Sequence, residues 1–304
     1  MGLALVALGI LLGWRAPGFF APANLRDLLV SNAPVLVAAI GMTLVILARQ
    51  IDISIGSQFA ICGVVSGLLA KSGLPMPLVG AGAVLAGALL GGLNGLLVAA
   101  LGLPAIVVTL ATMVFLRESL RLATEGVWVQ NLPPNFQWFG LGQEPGRLAV
   151  IVVALAVFAT FAWSLSHLAA GRAVYATGSE PEAARLVGIR PRRVVFATFA
   201  FMGGLVGLSA LLTSIQFIDV QASAGVGLEL KVIAAVVVGG TSISGGRGTL
   251  LGTLLGVALL GAIGPALTFL GAEAHWERAL QGLVILAAVA TDAVRGKGAG
   301  NDGF

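Results

Sequence analysis

Ionisable side chains are sparse along this chain: 13 Asp and Glu and 17 Lys and Arg among 304 residues, 10% in all. An ordinary soluble domain carries about 25%, and a soluble globule of this size could not cover its surface with so few. The single cysteine, Cys62, excludes a disulfide framework. Two histidines, His167 and His275, head no H-E-x-x-H pattern, and with one cysteine they cannot assemble a metal cluster. The phosphate loop of an ATPase is also missing. The stretch Gly240–Arg247 is rich in Gly and Ser but lacks the Gly-Lys-Ser/Thr ending that grips phosphate and magnesium. Ser244 also breaks a G-x-S-x-G reading. No catalytic residue, bound metal or cofactor is expected of such a chain.

What is present is apolar: 58% of the residues, with 43 glycines. A transmembrane barrel would show short alternating strands; here long apolar runs point to an all-α polytopic membrane protein in one domain, 1–304. A spanning helix needs about 20 apolar residues. The runs fall at about 2–14, 29–48, 57–70, 78–101, 104–122, 148–168, 194–216, 230–243, 249–270 and 278–294, which gives about ten spans. Three of them, 2–14, 57–70 and 230–243, are too short to cross alone and read as broken helices or helices shielded by small neighbours. The first run, followed by Ala21-Pro22-Ala23, has the outline of a signal peptide. It lacks a basic lead-in, and Trp14-Arg15 interrupts the approach to a cleavage site, so a first helix is the better reading.

The net charge of +4 does not signal nucleic acid, because the basic residues form no dense stripe. They do gather once: Arg172, Arg185, Arg190, Arg192 and Arg193 lie within 23 residues, and Arg295 and Lys297 follow the last run. The positive-inside rule places both segments in the cytoplasm, and an even number of spans puts the N-terminus there too.

Glycine has about twice its usual share. Gly87, Gly91 and Gly95 recur every four residues beside Asn94, and Gly252, Gly256 and Gly261 form a similar ridge before Gly264-Pro265. Small residues at that spacing let helix backbones approach closely. A faint echo links Ile51–Ser57 (with Asp52, Ser54 and Gly56) to Thr241–Arg247 (with Gly245 and Gly246, after Gly239 and Gly240), as two transporter repeats would leave behind. Asp52, Asp219, Glu229 and Asp292 flank apolar runs, so the membrane interior reads as nearly uncharged and an ion-coupled carrier is the weaker reading. Asp52 reads as the cap of a helix starting near Ile53. Asn94, Thr109, Thr112 and Gln216 are candidates to line a path for a hydroxylated solute, or to bond between helices.

Two loops stand out. On the outer side, Arg117, Glu118, Arg121 and Glu125 have the spacing to pair along one helix face, followed by the aromatics Trp128, Phe136 and Trp138. This segment suits a soluble partner or the membrane interface. On the inner side, segment 169–193 holds a short helix: Ser179 as its cap, Glu180 and Glu182 in its first turn, Ala183 and Arg185 within it, Gly188 at its end and Pro191 as a stop. A capped two-turn helix outside the membrane is shaped to fit a groove on another protein.

These residues carry a resemblance. The 169–193 segment resembles the cytoplasmic coupling loop of ABC-importer permeases of the ribose/xylose/autoinducer-2 class. Gly227–Thr249 and Ile51–Ser57 are similar to that family's two signatures, and Gly92–Gly95 and Leu103–Leu110 match its pattern in order. The likeness covers about residues 17–294, and the chain begins well into the family's first helix.

The resemblance implies a type II importer bundle with a pseudo-repeat, a multi-pass subunit of the bacterial inner membrane with both termini cytoplasmic. Its partners would be a cytoplasmic ABC ATPase, which holds ATP and Mg, a periplasmic solute-binding protein, a second permease copy or homologue, and membrane lipid. The helix around Ser179–Gly188 would sit in the ATPase cleft. The stretches Ala48–Asp52 and Gly126–Pro133 look closer to autoinducer-2 and rhamnose permeases than to ribose ones, so a monosaccharide or small polyol is the implied solute.

Overall fold

The computed structural model describes residues 2–271, together with position 276 and positions 279–280, 282–284 and 286. In chain order its helices are α1 Gly2–Arg15, α2 Pro22–Leu47, α3 Ile55–Lys71, α4 Met76–Ala99, α5 Ala105–Thr124, α6 Gln143–His167, α7 Ala169–Ser179, α8 Pro181–Leu186, α9 Pro191–Ser214, α10 Leu228–Val238 and α11 Leu250–Phe269. Short 3-10 turns cover Pro17–Phe20 and Gln137–Gly140. Among the described residues five helices, α2, α4, α6, α9 and α11, are long and apolar enough to cross a membrane. Of the run predicted at 278–294 only positions 279–280, 282–284 and 286 are described, and the basic residues after it lie outside the described residues. The other nine predicted runs each coincide with a helix.

Two helices form the centre. The apolar window of α2 is 83% buried and that of α9 67%, against 22% for α4 and 17% for α6, which therefore stand at the periphery. Ser209 Oγ of α9 donates 2.7 Å to the Pro34 carbonyl of α2, and Thr43 and Thr253 hydroxyls meet at 2.7 Å between α2 and α11. Such bonds matter in a membrane bundle because apolar side chains gain little from meeting each other there.

The glycine ridges set the closest approach. A Cβ on Gly87, Gly91 or Gly95 of α4 would collide with the Gly203 carbonyl, the Phe199 carbonyl and the Phe199 Cβ of α9, and one on Gly203 or Gly207 would strike α4 in return. Gly239 and Gly252 hold α10 and α11 together in the same way, while Gly261 makes room for Asn32 of α2. Helix α1 packs through Leu12 and, beyond it, Ala16 and Phe19 against Ala262 and Ala266 of α11, with Phe19 edge-on to Phe269.

The bundle has two distinct ends. Helices α7 and α8 lie at one. The opposite end is closed by the 125–142 segment, which crosses it: Val129 pairs with Val220 through two backbone bonds of 2.9 and 3.0 Å, and Trp138 N–H donates to the Ile215 carbonyl at 2.8 Å. Phe136 is fully buried there. Arg147 reaches both Asp27 and Glu144, and Arg26 pairs with Glu144, tying the starts of α2 and α6.

Candidate functional site

At the first end, the break between α7 and α8 comes at Glu180, whose backbone is extended. The cap of α8 is thus Glu180 and not Ser179, which is the last residue of α7, a helix the sequence reading treated as connector. Pro181 opens α8 because its fixed φ and missing N–H suit a first helical turn. Glu182 lies in that turn and accepts two bonds from Arg185, at 2.8 and 3.1 Å. Gly188, at φ +84°, ends the turn, with its N–H on the Arg185 carbonyl and Ile189 N–H on that of Ala184. Ala184 is buried, while Ala183 faces out. Leu186 and Val187 are 90% and 74% exposed. That pair is the most exposed apolar feature of the corner, and the helical signal around Ser179–Gly188 did not single it out.

The corner is locked onto the bundle by glycines. Gly178 lies against the Leu47 carbonyl and the Gly246 N–H, Gly245 against Arg49, and Gly246 against Ser179, all at distances no Cβ could enter. Gly246 N–H donates 2.9 Å to the Leu47 carbonyl, so the α10–α11 loop, the end of α2 and the end of α7 meet at one point. Tyr175 donates 2.9 Å to the Gly248 carbonyl, and burial pushes its phenol above the ordinary value, keeping it a neutral donor. Gly239 and Gly240 end α10 just before this junction.

The second polar group surrounds the start of α3. Asp52 does not cap that helix, which begins at Ile55. Its Oδ1 instead accepts from Ser54 N–H (2.9 Å) and Ser54 Oγ (2.6 Å), and its Oδ2 from Gln58 (3.1 Å). Asn94 of α4 and Gln58 both donate to Ser54 Oγ, at 2.8 and 2.7 Å. All four side chains are buried.

Two further charges converge nearby. Gly56 is needed because a Cβ there would overlap the Glu229 carboxylate and the Gly225 carbonyl and stand 3.1 Å from Arg117 Nη2. Arg117 Nε donates to Ser57 Oγ at 3.3 Å. Glu229 Oε1 accepts from Gly227 N–H, whereas its Oε2 is buried without a hydrogen-bond partner among the described residues. Arg117 therefore turns inward instead of joining Glu118, Arg121 and Glu125 along one face; of those, only Arg121 and Glu118 approach, at 3.9 Å.

The depth of this cluster follows from helix rise. Arg117 lies twelve residues into α5, about 18 Å from its start. Glu229 lies nine residues before the end of α10, about 14 Å. Both helix ends lie at the α8 end of the bundle, since α4 meets the beginning of α9 through Gly95 and the α10–α11 loop touches Gly178. Both measures put the charges well inside the bundle, away from either end. Glu229 does flank an apolar run, but α10, at 11 residues, is only about 16 Å long, so its flank falls at mid-depth.

The proposed path residues separate. Asn94 and Thr109 are buried beside the Asp52 loop, Thr109 Oγ1 lying 3.4 Å from the Ile51 carbonyl. Thr112 bonds back to Thr109 of its own helix. Gln216 sits at the far end, bonded to Leu212, and of the four it alone lines the cavity of about 470 Å³ there, with Pro134, Gln137 and Trp138.

Comparison with known proteins places these features in a family setting. The family model described as branched-chain amino acid transport system / permease component matches residues 24–289. The autoinducer 2 import system permease protein LsrC of Escherichia coli O157:H7 is 35% identical over 290 residues, covering 94% of this chain and 85% of that protein. LsrC of Salmonella typhi is 34% identical, covering 95% and 84%, and that of Shigella flexneri 35%, covering 95% and 85%. No solved structure matches the chain.

Proposed function

The chain belongs to the ABC-importer permease family of the branched-chain transport type, and on that premise we propose that it is the membrane subunit of an ATP-driven importer for autoinducer-2, rhamnose, a pentose or a similar small polyol. The solute arrives from a periplasmic binding protein. ATP and Mg bind a separate cytoplasmic ATPase, and the chain works as a pair with a second permease copy or a homologue. The α8 end faces the cytoplasm, as do both chain termini, in the bacterial inner membrane.

The observation that carries this reading is the α8 corner. A short helix presents Leu186 and Val187 to solvent while its base is clamped to α2, α7 and the α10–α11 loop. Ser179, Glu180, Glu182, Ala183, Arg185 and Gly188 shape that corner, and movement of α8 by the ATPase would reach three elements at once. In this account Arg117, Ser57 and Glu229 form the polar step at mid-depth, beside Asn94, Thr109 and Thr112, and Gln216 stands at the outer mouth. Helices α2–α4 and α9–α11 form the two halves of an inverted repeat: α4 packs on α9 as α11 packs on α2, and the short α3 and α10 occupy matching places. This supersedes the pairing of Ile51–Ser57 with Thr241–Arg247, which lie at different joints of the two halves.

Replacing Leu186 and Val187 with Asp, or Glu182 and Arg185 with Ala, should remove ATP-driven uptake in vesicles carrying the ATPase and binding protein. Unchanged uptake in both variants would remove the coupling assignment. The mid-depth Arg117 and Glu229 favour one second reading, an ion-coupled carrier of hydroxylated solutes, which would take up solute under an ion gradient without ATP.

A further inference from the structure

Three arginines occupy the start of α9 where a helix least favours them. Arg190 precedes the helix, and Arg192 and Arg193 follow Pro191 in its first turn, which holds no acid. The partial positive charge of a helix N-terminus opposes cations there, and the three also repel one another. With Arg185 of α8 they line a cleft of about 730 Å³ between the end of α8 and the start of α9. Arg185 has Glu182 as a partner; among the described residues no carboxylate forms an ion pair with Arg190, Arg192 or Arg193. The cleft is open, and its charge is uncompensated among the described residues.

We propose that this cleft binds the phosphate headgroup of an anionic phospholipid. Guanidinium groups match phosphate oxygens in paired, planar bonds, and clustered basic residues beside a membrane helix attract acidic lipid. Charge complementarity thus calls for a phosphate, and position selects lipid as its source. The arginines open a 24-residue apolar helix, and Phe196, one turn further in, is 43% exposed where acyl chains would lie. The exposed apolar tip available to a soluble partner, Leu186 and Val187, belongs instead to α8. A headgroup held here would bridge α8 to α9 through Arg185. That consequence for transport rests on the proposed function; the lipid site itself does not.

The test uses the full chain in detergent, with bound lipid read by native mass spectrometry. Dioleoyl phosphatidylglycerol and phosphatidylcholine are offered in equal amounts to the parent, to an R190Q/R192Q/R193Q variant and to an R190K/R192K/R193K variant. The parent should retain phosphatidylglycerol preferentially, the glutamine variant should bind it about a hundredfold more weakly, and the lysine variant, which keeps the charge that sets topology, should fall between them. Equal retention of the two lipids by the parent, or unchanged phosphatidylglycerol binding by the glutamine variant, would overturn the proposal. Displacement of the lipid by millimolar inorganic phosphate would transfer the site to a free anion and overturn the lipid assignment. A glutamine variant that keeps the lipid but loses the ATPase on co-purification would assign the arginines to the ATPase and overturn it as well.

Discussion

A single methyl group at position 56 would strike both the Glu229 carboxylate and the Gly225 carbonyl, so at this scale the design is one of converging charge around missing side chains. The Asp52 carboxylate has donors on both oxygens, although Gln58 Oε1 in the same buried network has no hydrogen-bond partner among the described residues; the Glu229 carboxylate beside Gly56 is less fully bonded. Every bond to Asp52 comes from a neighbour held at 2.6–3.1 Å, whereas one oxygen of Glu229 has no hydrogen-bond partner among the described residues. The two should therefore respond differently to neutralisation. Asp52→Asn turns an amide group toward the Gln58 donor and should lower stability by about 1–3 kcal/mol, as an unmade buried bond does. Glu229→Gln should leave the thermal midpoint in detergent close to that of the parent while reducing uptake severalfold. A midpoint lowered equally by both substitutions would assign Glu229 to the scaffold. The composition of this centre was readable, since Asp52, Ser54, Gly56 and Asn94 stand in recognisable motifs. The role of Arg117 was not: its i, i+4 neighbours offered a surface partner, and only the folded α3 supplies Ser57 instead.

Among the elements, the interlocked α4 and α9 and the α8 corner depend on glycine for opposite reasons. In α4, glycine lets two rigid helices touch; at the corner, Gly178, Gly245 and Gly246 let the α10–α11 loop meet the ends of α2 and α7. The ridge at Gly87, Gly91 and Gly95 was visible as a period of four, but its partner, Gly203 and Gly207, lies over a hundred residues away and has the same spacing. Periodicity names a face and not what covers it. Gly203→Ala puts a methyl group into the Gly87 backbone and should cost about 1–3 kcal/mol or more as overpacking. Gly92→Ala, whose nearest foreign atom is a Phe196 ring carbon at 3.9 Å, should be neutral, and thermal unfolding in detergent measures both. Equal behaviour of the two variants would contradict the interlock. The α8 end was legible in outline, from Glu182, Arg185 and Gly188, while the opening role of Pro181 was not. Its cap shifted by one residue because Ser179 is used by the preceding helix, α7, and by the contact with Gly246.

For the whole molecule, scarcity of charge correctly implied a membrane bundle but concealed where the remaining charges lie. Apolar runs mark spans only when a helix is long enough to cross; α3, at 17 residues, and α10, at 11, are short, so residues at their flanks enter the middle of the bundle. Short helices beginning at mid-depth, a clamped helix at one end and a capped opposite end suit the proposed importer, in which the moving force would enter at α8. The decisive measurement is solute uptake into vesicles holding the complete permease, ATPase and binding protein, with ATP inside or absent and with or without an ion gradient. Uptake that requires ATP and ignores the gradient is the predicted result; uptake driven by the gradient alone would contradict it.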